Sequence, residues 1–199
     1  MQKTAIFGGT FNPPHLGHRF MLESIANIAD FEKILVMPAK IPPHKSGEIL
    51  SAEHRVNMCR IAFNSVKKAE LCLDELYLKG KSYTVNTLKS FRQKNIKNPV
   101  LVIGGDSLVD FHKWYMYEEI LSLAELCVYK RGGISDEQLY SAKERLEKLG
   151  GKITLLDICP PEISSSMVRD AFLKGKDCSG FLNPLVLDYI KENALYKGE

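Results

Sequence analysis

Lys3-Thr4-Ala5-Ile6-Phe7-Gly8-Gly9-Thr10-Phe11-Asn12-Pro13-Pro14-His15-Leu16-Gly17-His18 is the stretch from which the fold can be read. An apolar run of strand length, Lys3–Phe7, stops at a glycine pair. Beyond the proline turn, Met21, Ile25 and Ile28 recur at i, i+4 and i+7, the spacing of one helix face. The passage reads as strand, glycine turn, helix. A second apolar run, Val100–Ile103, ends in the same way at Gly104-Gly105-Asp106. A glycine pair lets backbone approach a ligand closely and tolerates positive φ.

Outward from these two runs, further strands are predicted at Lys33–Met37, Glu70–Leu76, Leu126–Lys130 and Lys152–Ile158, with segments of helical spacing between them. Leu139, Ala142, Leu146 and Leu149 fall on one face after Ser135. Ser135 and Gln138 have capping-box spacing, and Gly150 is placed as a stop. Asn183-Pro184 offers an N-cap and then proline at the first helical position, ahead of Leu187 and Ile190. Strict alternation of strand and helix implies an α/β, doubly wound fold with a parallel sheet covered on both faces. We expect a single domain over residues 1–199, with a C-terminal helical part at about 163–199; the polar loop Pro38–Ser51 is too short to separate domains. In the order 3-2-1-4-5 the first and fourth strands meet where the winding reverses, and ligands bind at their carboxyl ends. Both glycine pairs fall at that point, which predicts a nucleotide crevice.

Charge and composition narrow the classes. Twenty-seven basic against 24 acidic residues leave +3, too mild for a protein that coats nucleic acid by dense phosphate contacts. No apolar run reaches the roughly 18–20 residues of a membrane span. Gly8-Gly9 cuts the first apolar run below signal-peptide length. The five cysteines are scattered and odd in number, which suits free thiols in a reducing cytosol, so a cytoplasmic protein is expected.

The chemistry-bearing residues cluster in two motifs. His15 and His18 are three apart at a helix start, where unpaired N–H groups and the dipole attract anions. Gly17 between them is expected to clear space for a phosphate chain against the backbone. A metal reading needs a third ligand; His44 and His54 exist, but no carboxylate sits at obvious ligand spacing. Phosphate binding is the reading chosen, with capping or packing histidines as the alternative. Ser164, Ser165 and Ser166 precede Arg169 by one turn, a clamp for outer phosphates or simple N-capping. Trp114, the sole tryptophan, is by composition alone a core residue.

Gly-Gly-Thr-Phe-Asn-Pro-Pro-His-x-Gly-His at positions 8–18 resembles the signature of the H-x-G-H nucleotidyltransferase superfamily, and Ile163-Ser164-Ser165-Ser166-Met167-Val168-Arg169 resembles its Ile-Ser-Ser-Thr-x-x-Arg element. Pro42-Pro43-His44-Lys45, the Ser51, Arg55 and Met58 segment, Ser82-Tyr83-Thr84, Gly104-Gly105-Asp106-Ser107-Leu108 and Trp114 are similar to the bacterial nicotinate-nucleotide adenylyltransferases. The similarity runs over about residues 4–190. Asn12 replaces a frequent aspartate and Ser166 a usual threonine; both keep a hydrogen-bonding group.

The resemblance implies a Rossmann-like fold and adenylyl transfer from ATP to nicotinate mononucleotide with release of pyrophosphate, a step of NAD biosynthesis. Open alternatives are a preference for nicotinamide mononucleotide, another acceptor such as phosphopantetheine, or a catalytically silent nucleotide-binding module. It implies His15 and His18 as catalytic groups on the triphosphate, both imidazolium once ATP is bound. It places Gly8, Gly9, Thr10, Phe11, Gly104, Gly105, Asp106, Ser165 and Arg169 on ATP, and Lys45, Thr84 and Trp114 on nicotinate mononucleotide. Mg2+ is expected, carried mainly by the ATP phosphates, with no protein ligand to it. The expected partners are these small molecules, with no nucleic acid and no membrane, and homo-oligomerisation is left open.

Overall fold

The structure, a computed structural model, describes residues 3–28, 31–40, 49–77, 82–131 and 133–196. Among these, six parallel strands form one sheet in the order β3-β2-β1-β4-β5-β6. They are β1 (Lys3–Gly9), β2 (Phe31–Pro38), β3 (Ala69–Leu71), β4 (Pro99–Gly104), β5 (Glu125–Tyr129) and β6 (Ile153–Leu156). The helices are α1 (Leu16–Ile28), α2 (Ala52–Phe63), α3 (Asp74–Tyr77), α4 (Thr84–Gln93), α5 (Gly105–Val109), α6 (Tyr117–Leu123), α7 (Asp136–Glu147), α8 (Ser165–Leu173) and α9 (Pro184–Glu192).

The period-two alternation of the strands divides their side chains between two cores. Ala5, Phe7, Ile34, Val36, Val100 and Val102 pack with Met21, Leu22 and Ile25 of α1, Met58 and Phe63 of α2, Val168 of α8, and Val186 and Ile190 of α9. Ile6, Leu35, Met37, Leu101 and Ile103 pack on the opposite face with Leu88 and Phe91 of α4, Leu108 of α5, Ile120 of α6, and Leu139 and Leu146 of α7. Each buried aliphatic side chain is worth about 1.5–3 kcal/mol. Burial on both faces is why the central strands are continuous apolar runs. The sheet ends in its two shortest strands, which leaves little unpaired edge. The molecule is one Rossmann-like α/β domain, and the expected doubly wound order holds.

The local punctuation also holds. Ser135 and Gln138 exchange hydrogen bonds as a capping box. Asn183 accepts from the Leu185 N–H at 2.9 Å, with Pro184 at the first helical position. Gly150 takes φ +88°.

Three expectations need correction. The strand expected over Glu70–Leu76 ends at Leu71, and Asp74 and Glu75 open α3 instead. Two adjacent carboxylates suit the positive end of a helix better than a pleated edge. Leu149 does not join Leu139, Ala142 and Leu146 in the core; α7 ends before it, and it is half exposed. Alternation is not strict: α3 and α4 lie between β3 and β4, and α5, a 3-10 turn at Phe111–Lys113 and α6 lie between β4 and β5. Among the described residues no helix is long and apolar enough to cross a membrane.

Candidate active site

The central crevice opens where β1 and β4 part. They pair only as far as Ile6 beside Leu101, whereas β1 stays with β2 to Gly9 and Pro38, and β4 stays with β5 to Gly104 and Tyr129. Past the last shared pair the carboxyl ends diverge around a cleft of about 940 Å³. Its wall includes Gly8, Gly9, Thr10, Phe11, Gly104, Ser165, Arg169, Thr84 and Trp114.

The glycines have distinct reasons. A Cβ at Gly8 would project into open space, so its absence leaves bare backbone at the cleft. At Gly9 a Cβ would lie 2.9 Å from the Phe11 ring. Phe11 itself has φ +50°, rare for a residue with a side chain, and its ring is fully buried against Phe7 and Phe63. That ring supports the edge of His18 at 5.0 Å between centroids.

His15 and His18 both line the cleft, stacked with ring centroids 3.7 Å apart. The His15 backbone N–H donates to His18 Nδ1 at 3.2 Å. With Nδ1 occupied as an acceptor, the proton of neutral His18 is assigned to Nε2, which makes that nitrogen a donor. His15 is buried, and its Nδ1 is, among the described residues, the buried side-chain polar atom left without a hydrogen bond. Burial, and secondarily the Arg131 guanidinium, push its pKa down to about 3, so His15 is neutral at physiological pH before any anion binds. The expected imidazolium has to form against this burial.

Gly17 has a role other than the expected one. It is buried, and a Cβ there would meet His15 Nδ1 at 3.1 Å, His15 Cε1 at 3.2 Å and the Pro161 carbonyl at 3.4 Å. The missing side chain makes room for the His15 ring, not for a phosphate. Gly17→Ala should therefore fold, since alanine favours a helix by up to about 1 kcal/mol over glycine. It should push the histidine stack out of place and lower kcat about tenfold or more. An unchanged kcat in steady-state assays would contradict this assignment.

Opposite the histidines, α8 is bound to the loop that carries them. Ser164 caps the helix, Ser165 donates to the Pro13 carbonyl at 2.8 Å, and Arg169 donates to the Asn12 carbonyl at 2.9 Å. Asn12 Oδ1 accepts the Tyr196 hydroxyl at 2.8 Å. Asn12 is buried, so the neutral amide serves this contact without the desolvation a carboxylate charge would incur. Arg55 lies beneath, donating to the carbonyls of Leu50, Thr10, Ala39 and Lys40.

The other end of the cleft is walled by α4 and the turn before α6. Thr84 starts α4, whose N-cap Tyr83 makes no side-chain cap. Trp114 is half buried and stacks on Phe111 at 4.9 Å while also lining the cleft. Lys45, with the whole Pro42–Lys45 motif, lies outside the described residues.

Two expected ATP residues sit beyond the cleft wall. A Cβ at Gly105 would lie 2.8 Å from Leu139 Cδ2, so that glycine admits α7. Asp106 is exposed in the first turn of α5, where its Oδ1 accepts the Ser107 N–H at 2.9 Å; Gly104, not Asp106, is the N-cap, so the capping alternative does not hold either. Among the cleft residues that escaped sequence reasoning are Arg131, Tyr129, Tyr196 and Glu75. Tyr129 and Arg131 lie at the end of the strand next to the switch point, a position that could have flagged them. Tyr196 and Glu75 carry no local signal.

Residues 6–171 match the model of the cytidylyltransferase-like family. The chain is 34% identical over 199 residues to the nicotinate-nucleotide adenylyltransferase of Bacillus subtilis, covering 99% of this chain and 100% of that protein. Among solved structures it is similar to the Plasmodium falciparum nicotinic acid mononucleotide adenylyltransferase complexed with NaAD, at TM-score 0.80 and 25% identity over 98% of each chain. The same enzyme complexed with APC superposes at TM-score 0.78, with 24% identity over 98% of each chain.

Proposed function

Because this chain belongs to the cytidylyltransferase-like family, and is matched end to end by a nicotinate-nucleotide adenylyltransferase, we infer that it catalyses that reaction in NAD biosynthesis. The 5′-phosphate oxygen of nicotinate mononucleotide attacks the α-phosphorus of ATP. The new P–O bond forms as the bond to the bridging β-phosphate oxygen breaks, giving nicotinate adenine dinucleotide and pyrophosphate. The attacking phosphate is already anionic, so no protein nucleophile is needed, and catalysis rests on positioning and charge stabilisation. The observation that carries the reading is the full-length match together with an imidazole pair in the switch-point cleft.

Within this reading His18 donates from Nε2 to the α-phosphate as charge accumulates there. His15 holds His18 through its backbone N–H and ring stack, and an anion beside it favours its imidazolium. Gly8, Gly9, Thr10 and Gly104 offer bare or small surface to the nucleotide. Arg169 and the Ser165 hydroxyl face the outer phosphates from α8, and Arg131 adds a cation from the end of β5. Gly105 and Asp106 act from behind the wall, by packing α7 and starting α5. Thr84 and Trp114 address the pyridine half, and Lys45 its phosphate.

Among the described residues no group of three His, Cys, Asp or Glu side chains could cage a metal ion. The cleft's phosphate-facing donors are imidazoles, guanidiniums and hydroxyls, a set that grips phosphates and suits an Mg2+ riding on the nucleotide with its waters. When bound, such an ion would supply charge neutralisation for the phosphates.

The deciding experiment is pyrophosphate release from ATP and Mg2+. Release is expected on adding nicotinate mononucleotide and not without it, and phosphopantetheine should give none. Release with phosphopantetheine, or none with the pyridine mononucleotide, would overturn the assignment.

A further inference from the structure

One acid in the cleft wall has no task in the chemistry above. Among the described residues Glu75 is the buried carboxyl group, and it lines the cleft with Ser82, Thr84, Thr87 and Trp114. Thr87 Oγ1 donates to Glu75 Oε1 at 3.4 Å, and the Ser82 hydroxyl also bonds the carboxyl. Ser82 Oγ in turn accepts the Lys40 backbone N–H at 3.0 Å. The carboxyl thus links α3, the start of α4 and the end of β2 at the pyridine end of the cleft.

Among the described residues, the neighbouring acid has its own partner. Asp74, the adjacent residue on α3, pairs with Lys94 beyond α4 at 2.7 Å. The Cys72 thiol interacts with Asp74, and α4 presents hydroxyls and Leu88 on this side. Lys40 meets the network through its backbone. Burial, opposed in part by the hydrogen bonds from Thr87 and then Ser82, pushes the Glu75 carboxyl up to about 7.

Resting on the reading that nicotinate mononucleotide is the acceptor, we propose that Glu75, held by Ser82 and Thr87 in the wall beside Thr84 and Trp114, is the specificity-determining residue that sets the charge of the pyridine pocket. A neutral carboxyl there tolerates, and can donate to, the anionic carboxylate of a nicotinate ring. An ionised one repels that anion, whereas either form presents an oxygen that accepts from the amide N–H of a nicotinamide ring. Binding the acid substrate is therefore linked to holding a proton on Glu75, and binding the amide is not. The sign follows: raising pH through about 7 weakens the acid and spares the amide.

The test is the ratio of kcat/KM for nicotinate mononucleotide to that for nicotinamide mononucleotide across pH 6–8. Both substrates carry the same titrating 5′-phosphate, and both meet the same histidines, so those contributions cancel in the ratio. The ratio should fall about tenfold over that range in the wild type, as the neutral fraction of a group of that pKa does. In Glu75→Gln, which keeps the shape and cannot ionise, it should stay flat. A flat wild-type ratio, or the same slope in Glu75→Gln, overturns the proposal. Calorimetry on the wild-type enzyme in buffers of different ionisation enthalpy gives a second readout. At pH 7 the acid should take up about half a proton more than the amide; equal uptake overturns the proposal. Failure of the underlying reading looks different, because neither pyridine mononucleotide would then release pyrophosphate at any pH.

Discussion

Replacing His18 by alanine should lower kcat by about 10²–10³ while leaving the fold intact. His18 is half buried at the cleft surface, and the core beneath it is completed by Phe11, Phe7 and Phe63 without it. Its Nδ1 is occupied by the His15 N–H, so the side chain's remaining donor is Nε2, and alanine removes that donor altogether. The loss is largest where charge develops, so kcat should fall far more than KM rises for either substrate. Glutamine, which keeps a side-chain N–H donor of comparable reach, should recover part of the rate. Thermal unfolding of both variants should match the wild type within a few degrees. A His18→Ala enzyme of near-native kcat would remove this residue from the reaction.

The largest effect on stability is expected at Arg55. Its side chain is 1% exposed, and among the described residues its guanidinium is hydrogen-bonded to backbone carbonyls and paired with no carboxylate. Burial lowers its pKa from the ordinary arginine value, and the charge is solvated by backbone carbonyls that end β1 and β2 and precede α2. Substituting methionine removes this donor from the part-buried carbonyls of Thr10, Ala39 and Leu50, each at up to about 1–3 kcal/mol. A net loss of about 3–5 kcal/mol is expected. That corresponds to a fall in Tm of about 6–20 °C for a domain of this size. Lysine should rescue little, because a single ammonium cannot span carbonyls that the planar fork reaches together. A Tm for Arg55→Met within about 2 °C of the wild type would refute this account.

Reading the chain in order captures what depends on short-range spacing. Residues three or four apart share a helix turn, so the His15–His18 pair, the Ser135–Gln138 box and the Asn183-Pro184 cap were all legible. Residues two apart share a sheet face, so the strands were legible too, apart from Asp74 and Glu75. Two glycine pairs after two apolar runs sufficed to locate the crevice, because a parallel sheet has one place where its winding reverses.

What a local pattern cannot carry is a contact between distant residues. Tyr196 meets Asn12 across 184 positions, Ser165 meets Pro13 across 152, and Arg55 meets Thr10 across 45. Gly17 and Gly105 looked like ligand-facing glycines, yet the atoms that crowd them belong to His15, Pro161 and Leu139. The amino-acid order thus determined the sheet, its two covered faces and the anion-seeking helix start, since these follow from hydrogen bonding and apolar periodicity along the chain. Only tertiary packing decided which imidazole is dry and neutral, which cations face the cleft and why a carboxyl group sits in its wall. Desolvation and charge proximity are properties of what surrounds a side chain in space, and sequence distance does not encode them.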